Sequence, residues 1–150
     1  MIAVVQRVNE ASVEVEGTGT TGAIDLGLCV LLGVVKGDTE AEAGWMAGKL
    51  ARLRIFADES GRFNRSVQDV SGGVLLVSQF TLAGDCSRGN RPSFIDAAPP
   101  EEAAPLYEEV ARRLRSEHGL TVETGVFQAM MTVRIENQGP ATIILNSAGT

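Results

Sequence analysis

The chain has 150 residues, 44% of them apolar and 21% charged, with a net charge of −6 at neutral pH. These values fit one globular domain, residues 1–150, large enough to bury a proper core. The acidic balance argues against broad coating of nucleic acid. No run approaches the roughly 20 apolar residues of a membrane span, and the opening MIAVVQRVNE is too short and too polar for a signal peptide. A cytoplasmic protein with no membrane partner is expected.

Residues 2–8 read as a strand, and residues 12–16 (SVEVE) alternate as a half-exposed strand does. Residues 28–35 (LCVLLGVV) form an unbroken apolar run, the pattern of a strand covered on both faces. Gly33 inside it predicts a bulge or a close backbone approach. Asp38 or Thr39 caps a helix running to about Arg54, with Trp45, Met46, Leu50 and Leu53 as its apolar stripe. Gly44 and Gly48 weaken that helix by about 1 kcal/mol each relative to alanine, a cost consistent with close packing on the sheet. Ile55 and Phe56 read as a short strand, and residues 58–64 (DESGRFN) as a turn.

Residues 74–82 (VLLVSQFTL) begin as a buried strand and end polar. Hydroxyls and an amide at the end of a core strand need partners, because each unpaired buried polar group costs about 1–3 kcal/mol. Such an end is either a satisfied network or the floor of a site. The loop at 83–99 is long enough to suggest function. A second helix opens at Pro99-Pro100 with Glu101 and Glu102 in its first turn, carries Leu106, Val110 and Leu114, and stops at Gly119. Pro105 predicts either a start near Ala103 or bent first turns. Strands follow at 121–127, 131–137 and 141–145, with Gly139-Pro140 between the last two and a loose polar tail at 146–150. The order predicts an α/β fold, a mixed sheet with two helices.

The side-chain inventory excludes much chemistry. His118 is the only histidine and follows the second helix, so Ser-His-Asp and Cys-His catalysis are excluded. Cys29 lies in an apolar run and Cys86 in a loop, without CxxC or metal spacing, so both read as reduced thiols and no metal or cofactor is expected. No Walker loop or dinucleotide fingerprint is present. Hydroxyls, amides, arginines and backbone groups remain, a set that positions a substrate and stabilises an oxyanion but lacks a base near neutral pH. The matching reaction is hydrolysis of an already activated ester, with the base or nucleophile supplied by water or by the substrate.

Three motifs in order, SQFTL at 78–82, RPSF at 91–94 and NQGPAT at 137–142, together with MIAVVQRV and ASV at the start, resemble the D-aminoacyl-tRNA deacylase (D-tyrosyl-tRNA(Tyr) deacylase) family over almost the whole chain. The resemblance implies a three-layer β/β/α, barrel-like arrangement of mixed and antiparallel sheets. It also implies a homodimer in which a cis Gly139-Pro140 motif enters the partner's pocket and rejects L-amino acids. Ser78, Gln79, Phe80 and Thr81 are the implied catalytic residues. Gly139, Pro140, Arg7, Phe127 and Met130 are the implied substrate-binding residues, with Arg7 holding the Gly-Pro loop. The implied partner is a tRNA acceptor end carrying a D-amino acid or glycine, the latter mischarged on tRNA(Ala). Thr81 as nucleophile and the terminal 2′-hydroxyl of the tRNA as participant are the two mechanisms. The absence of a base favours the second. Arg88, Arg91 and the cluster 112–115 are candidates for phosphate contact.

Two positions depart from the family pattern. Ala141 stands where valine is usual, and Gln128 where glycine is common. Two rivals are an editing domain for a noncognate L-aminoacyl-tRNA and a catalytically silent dimer that binds tRNA ends or a protein.

Overall fold

The structure, a computed structural model, describes residues 1–149. The strands are β1 (Ile2–Val15), β2 (Gly19–Ile24), β3 (Gly27–Gly33), β4 (Phe56–Ala57), β5 (Phe63–Arg65), β6 (Gly73–Ser78), β7 (Val122–Thr124) and β8 (Met131–Asn146). The helices are α1 (Glu40–Arg52) and α2 (Pro100–Ser116). One mixed sheet runs β2-β1-β3-β6-β7, with β8 added to β1, and β4 and β5 form a separate small sheet.

The pleat of the central strands divides the core in two. Leu28, Val30 and Leu32 of β3 and Val74 and Leu76 of β6 face α1 and α2, where they meet Met46, Leu50, Val110 and Leu114. Cys29, Leu75 and Val77 face the other way, onto Val8, Val13 and Ile24 of β1 and β2. The helices, the sheet and the curled part of the sheet are thus three layers, as the apolar runs and the resemblance predicted. Cys29 is buried and Cys86 exposed. Burial pushes the Cys29 thiol up to about 11.

Several boundaries differ from the sequence reading. Residues 2–8 and 12–15 belong to one 14-residue strand, with the exposed Asn9 and Glu10 at a register shift against β8; Glu16 lies just beyond it. Residues 131–137 and 141–145 also form one strand, β8, because both halves pair with β1. The strand expected at 121–127 covers only Val122–Thr124. Thr39 caps α1: its hydroxyl accepts from Ala41 N at 3.2 Å, and Glu42 returns a bond from Thr39 N at 2.7 Å. Such a cap contributes about 1 kcal/mol. A side chain at Gly44 or Gly48 would meet Arg113 or Arg52, so these glycines make room for arginines rather than for the sheet.

Helix α2 runs unbroken through Pro105, which is exposed, so the carbonyl it leaves unbonded on its own helix lies on the wet side. Its buried stripe is Ala103, Tyr107, Val110 and Leu114, and Tyr107 takes the place expected of Leu106. The tail is not loose through Ser147. Ser147 N donates to Met1 O at 3.0 Å, and the Met1 ammonium donates to Asp38 at 2.6 Å and to Ser147 Oγ. Thr150 lies outside the described residues.

Candidate active site

β6 lies parallel to β3, and the pair ends with Leu32 opposite Ser78. The chain does not continue as a strand. Gln79 N still donates to Leu32 O at 2.8 Å, but Gln79 then turns to φ −147°, ψ 83°, and Phe80–Ala83 form a 3₁₀ turn with no side-chain cap. The first N–H groups of such a turn have no partner within it. This is a correction to the reading of 74–82 as one strand. Gly33 is the reason the turn sits so close to β3. A Cβ there would lie 2.9 Å from Gln79 O and 3.1 Å from Leu82 Cβ, which fulfils the expected close backbone approach.

A cavity of about 640 Å³ opens at this end of the sheet. Ser78, Gln79 and Phe80 line it on one side, and Phe127, Gln128, Ala129 and Met130 on another. Leu32, Val34, Val77, Ala98, Pro100, Ala103, Tyr107, Met131 and Val133 complete the wall. No Asp, Glu, His, Lys, Arg or Cys is among them. Tyr107 is the only titratable lining group. Its hydroxyl donates to Leu76 O at 2.7 Å, and burial raises its pKa, so it stays protonated. Phe127 leans on Tyr107 with ring centroids 6.0 Å apart. Gln128 adopts φ +62°, a conformation easiest for glycine.

Thr81 is exposed and one step beyond the residues that line the cavity. Its hydroxyl accepts from Gln79 Nε2 at 2.6 Å. An amide donor orients a hydroxyl but takes no proton from it. The loop after the turn folds back: Phe94 of RPSF meets Phe80 edge to face at 5.2 Å, and Asp85 and Ser93 bond to each other's backbone.

The remaining predicted residues are gathered elsewhere on the chain. Along the β1–β8 ladder, Gln6 faces Thr142 and Val8 faces Asn137, so residues 138–141 bulge out opposite Arg7 alone. The Gly139-Pro140 bond is cis. Both residues are exposed, and neither lines the cavity. Ala141, behind them, is buried. Arg7, itself buried, donates from Nε to Gln138 O at 3.1 Å and from Nη1 to Ile55 O at 2.6 Å. One chain therefore brings Ser78, Gln79, Phe80, Phe127 and Met130 together, and separately Arg7, Gly139 and Pro140.

The phosphate candidates divide. Arg112 and Arg113 bond Glu109 at 2.7 and 2.6 Å, and Arg115 donates to Val122 O of β7 at 2.6 Å, so that cluster serves α2 and its joint to β7. Arg88 and Arg91 are exposed in the loop, with no ion pair among the described residues. Sequence reasoning missed Tyr107, Pro100 and Ala103 in the cavity wall. The signal was the 103/107/110/114 spacing on α2, which aims Tyr107 at the carboxyl end of β6.

An uncharged cleft with an uncapped turn at its floor defines a site that binds and orients rather than one that exchanges protons. A family model described as D-Tyr-tRNA(Tyr) deacylase matches residues 4–146, and the chain belongs to that family. Proteins named D-aminoacyl-tRNA deacylase from Roseiflexus castenholzii (60% identical, 99% of this chain, 93% of that one) and Desulfitobacterium hafniense (56%, 98% and 97%) are similar over their whole length. Among solved structures, a c-Myc DNA Unwinding Element Binding Protein superposes with a TM-score of 0.91 at 45% identity, covering 98% of this chain and 99% of that one. A probable eukaryotic D-amino acid tRNA deacylase, at 16% identity and TM-score 0.82 over 96% and 97%, shares the fold.

Proposed function

We infer that the protein is a hydrolase of the ester bond in D-aminoacyl-tRNA, working in the cytoplasm as a homodimer. The observation that carries this reading is the cavity floored by Ser78, Gln79 and Phe80 and free of any charged group. Such a site suits an ester already activated by its position on the ribose. The N–H groups at the start of the Phe80–Ala83 turn are donors for the ester carbonyl, so charge developing on that oxygen is met by fixed dipoles. Ser78 and Gln79 position the amino-acid end, and Phe127 and Met130 pack against the terminal adenosine. Thr81, lacking a base, orients rather than attacks. The proton transfer falls to the 2′-hydroxyl of the terminal ribose and water.

Chiral selection comes from the second copy. The exposed Gly139-Pro140 bulge does not line the Ser78–Phe80 cavity of its own chain, and Arg7 fixes its base. β8 is a 16-residue edge strand, bonded in the sheet only to β1, and Ile144 on it is 71% exposed. A long free edge bearing an exposed isoleucine is a surface that needs covering. Pairing two copies there carries each bulge to the other's cavity. The bulge's carbonyls then stand where an L side chain would project, while a D side chain points away and glycine has nothing to collide. That makes glycyl-tRNA, mischarged on tRNA(Ala), a second substrate. Rejecting the wrong partner by a built-in clash is an economical route to specificity.

The neighbour named for binding a DNA unwinding element raises a DNA-binding reading. The net charge of −6 weighs against it for this chain, since duplex binding depends on neutralising many phosphates. Deacylation of D- and L-tyrosyl-tRNA side by side tests the reading. Rapid release of D-tyrosine with the L ester intact is the expected result. Comparable rates on both overturn the chiral assignment, and no release from either leaves the silent binding dimer.

A further inference from the structure

The cavity wall holds two carboxamides, Gln79 and Gln128, and only one of them is bonded within the chain. Gln79 Nε2 donates to Thr81 Oγ1 at 2.6 Å. Elsewhere Gln68 Nε2 donates to His118 O at 2.7 Å, and the Gln6 carbonyl accepts from the Thr142 hydroxyl. The Gln128 side chain has no hydrogen-bond partner among the described residues. It therefore keeps one acceptor and two donors for something outside the chain.

The backbone gives no reason for a glutamine at this position. Ala129 N donates to Val126 O at 3.2 Å, closing a turn in which Gln128 is the third residue, at φ +62°. A turn with a left-handed third residue favours glycine, because a Cβ is crowded there. Ser71, at φ 53°, is the only other such non-glycine residue among the described residues, and it lies outside the cavity wall. A strained backbone kept in the wall of a site points to a side chain that is used there. The neighbours of Gln128 show what for. Phe127 leans on Tyr107 just before it, and Met130 on the same wall is 76% exposed. One free carboxamide between a ring and a thioether, in a wall without charge, suits a flat heterocycle with a polar edge.

We propose that Gln128 is a specificity-determining residue that reads the base of the terminal adenosine. Its carbonyl accepts from the 6-amino group, and its amide donates to the ring nitrogen beside that group. Donor and acceptor stand side by side on both partners, so the pair is bidentate. The proposal rests on the deacylase reading and adds to it a contact that recognises the base rather than the ester.

Two D-tyrosyl-tRNAs that differ only in the last base test this, one ending in adenosine and one in purine riboside, which lacks the 6-amino group. The expected result for the wild type is a kcat/KM about tenfold higher on the adenosine substrate, the scale of one bidentate base contact. Gln128→Met keeps the length of the side chain without its amide. It should lower kcat/KM on the adenosine substrate alone, so that the two substrates become equal. Gln128→Gly should do the same while its unfolding midpoint in denaturant stays at or above that of the wild type, since glycine relaxes the turn. Equal rates on the two substrates in the wild type overturn the proposal and leave the deacylase reading standing. So does a preference that survives both substitutions, or a Gln128→Met variant weakened alike on both substrates, which would make the side chain a filler of the wall. Release of D-tyrosine from neither substrate removes the deacylase reading and the proposal with it.

Discussion

Two polar interruptions of long apolar strands dominate this molecule, and they behave oppositely. At the end of β6 the chain turns inward. Gln79 N stays bonded to Leu32, the turn packs against Gly33, and Ser78, Gln79 and Phe80 face a cavity. In the middle of β8 the chain turns outward: residues 138–141 leave the register with β1, Arg7 holds Gln138, and the exposed Gly139 and Pro140 do not line that cavity. The first interruption is a concave surface without a selector. The second is a selector without a concave surface. That asymmetry is the ground for proposing a site assembled from two copies.

The comparison is broken most decisively at the substrate. If the concave half only positions the ester, tRNA ending in 2′-deoxyadenosine is hydrolysed about a hundredfold or more slower, the usual scale of a missing proton-transfer partner. Thr81→Ala then loses no more than about tenfold in single-turnover rate. A complete loss with retained binding would make Thr81 the nucleophile instead. Next comes the anchor of the convex half. Arg7→Ala strips donors from Gln138 O and Ile55 O and should lower unfolding free energy by about 2–4 kcal/mol in denaturant melts. D-over-L selectivity should fall with it, and unaltered selectivity would detach Arg7 from the bulge's role.

Smaller effects sharpen the picture. Gly33→Ala places a methyl 2.9 Å from Gln79 O, so the inward turn must shift. A stability loss of about 1–3 kcal/mol together with a reduced kcat is expected. A reduced kcat without the stability loss would call for another cause. The smallest effect lies outside both halves. Bonds from Arg112 and Arg113 hold the Glu109 carboxyl at about 2, well below its ordinary range. The folded state thus favours the ionised form. The stabilisation is complete above the ordinary carboxylate range and disappears as pH falls from about 4.5 toward 2. Glu109→Gln should flatten that part of the acid-melting curve by lowering stability modestly at neutral pH, where solvent screens the pair, while leaving stability near pH 2 unchanged.

Much of this was legible in the sequence. The unbroken runs LCVLLG and VLLV predicted strands buried on both faces, and each feeds both halves of the core. Asp38 or Thr39 marked the start of α1, and Thr39 is the cap. The motif SQFTL marked the concave half, but not its shape. Phe-Thr-Leu has good strand propensity, and only the approach of Gly33, far away in sequence, makes a tight turn at Gln79 the better packing. Gly139-Pro140 looked like a turn between two strands because local pattern does not reveal a shared partner. Both flanks pair with β1, so the residues form a bulge. The cavity wall from α2 was obscured by one register step between Leu106 and Tyr107. Family resemblance supplied the expectation of a second copy, which the pattern of one chain does not contain.

Cys29 offers an internal clock. Its thiol sits in the middle of the sheet, between Gln6 on β1 and Leu75 on β6, and burial keeps it protonated. A thiol reagent reaches it only when those three strands separate. Cys86, exposed in the loop, reacts at once and calibrates each sample. The lag between first and second thiol therefore times the opening of the central sheet under native conditions, without label, denaturant or substrate.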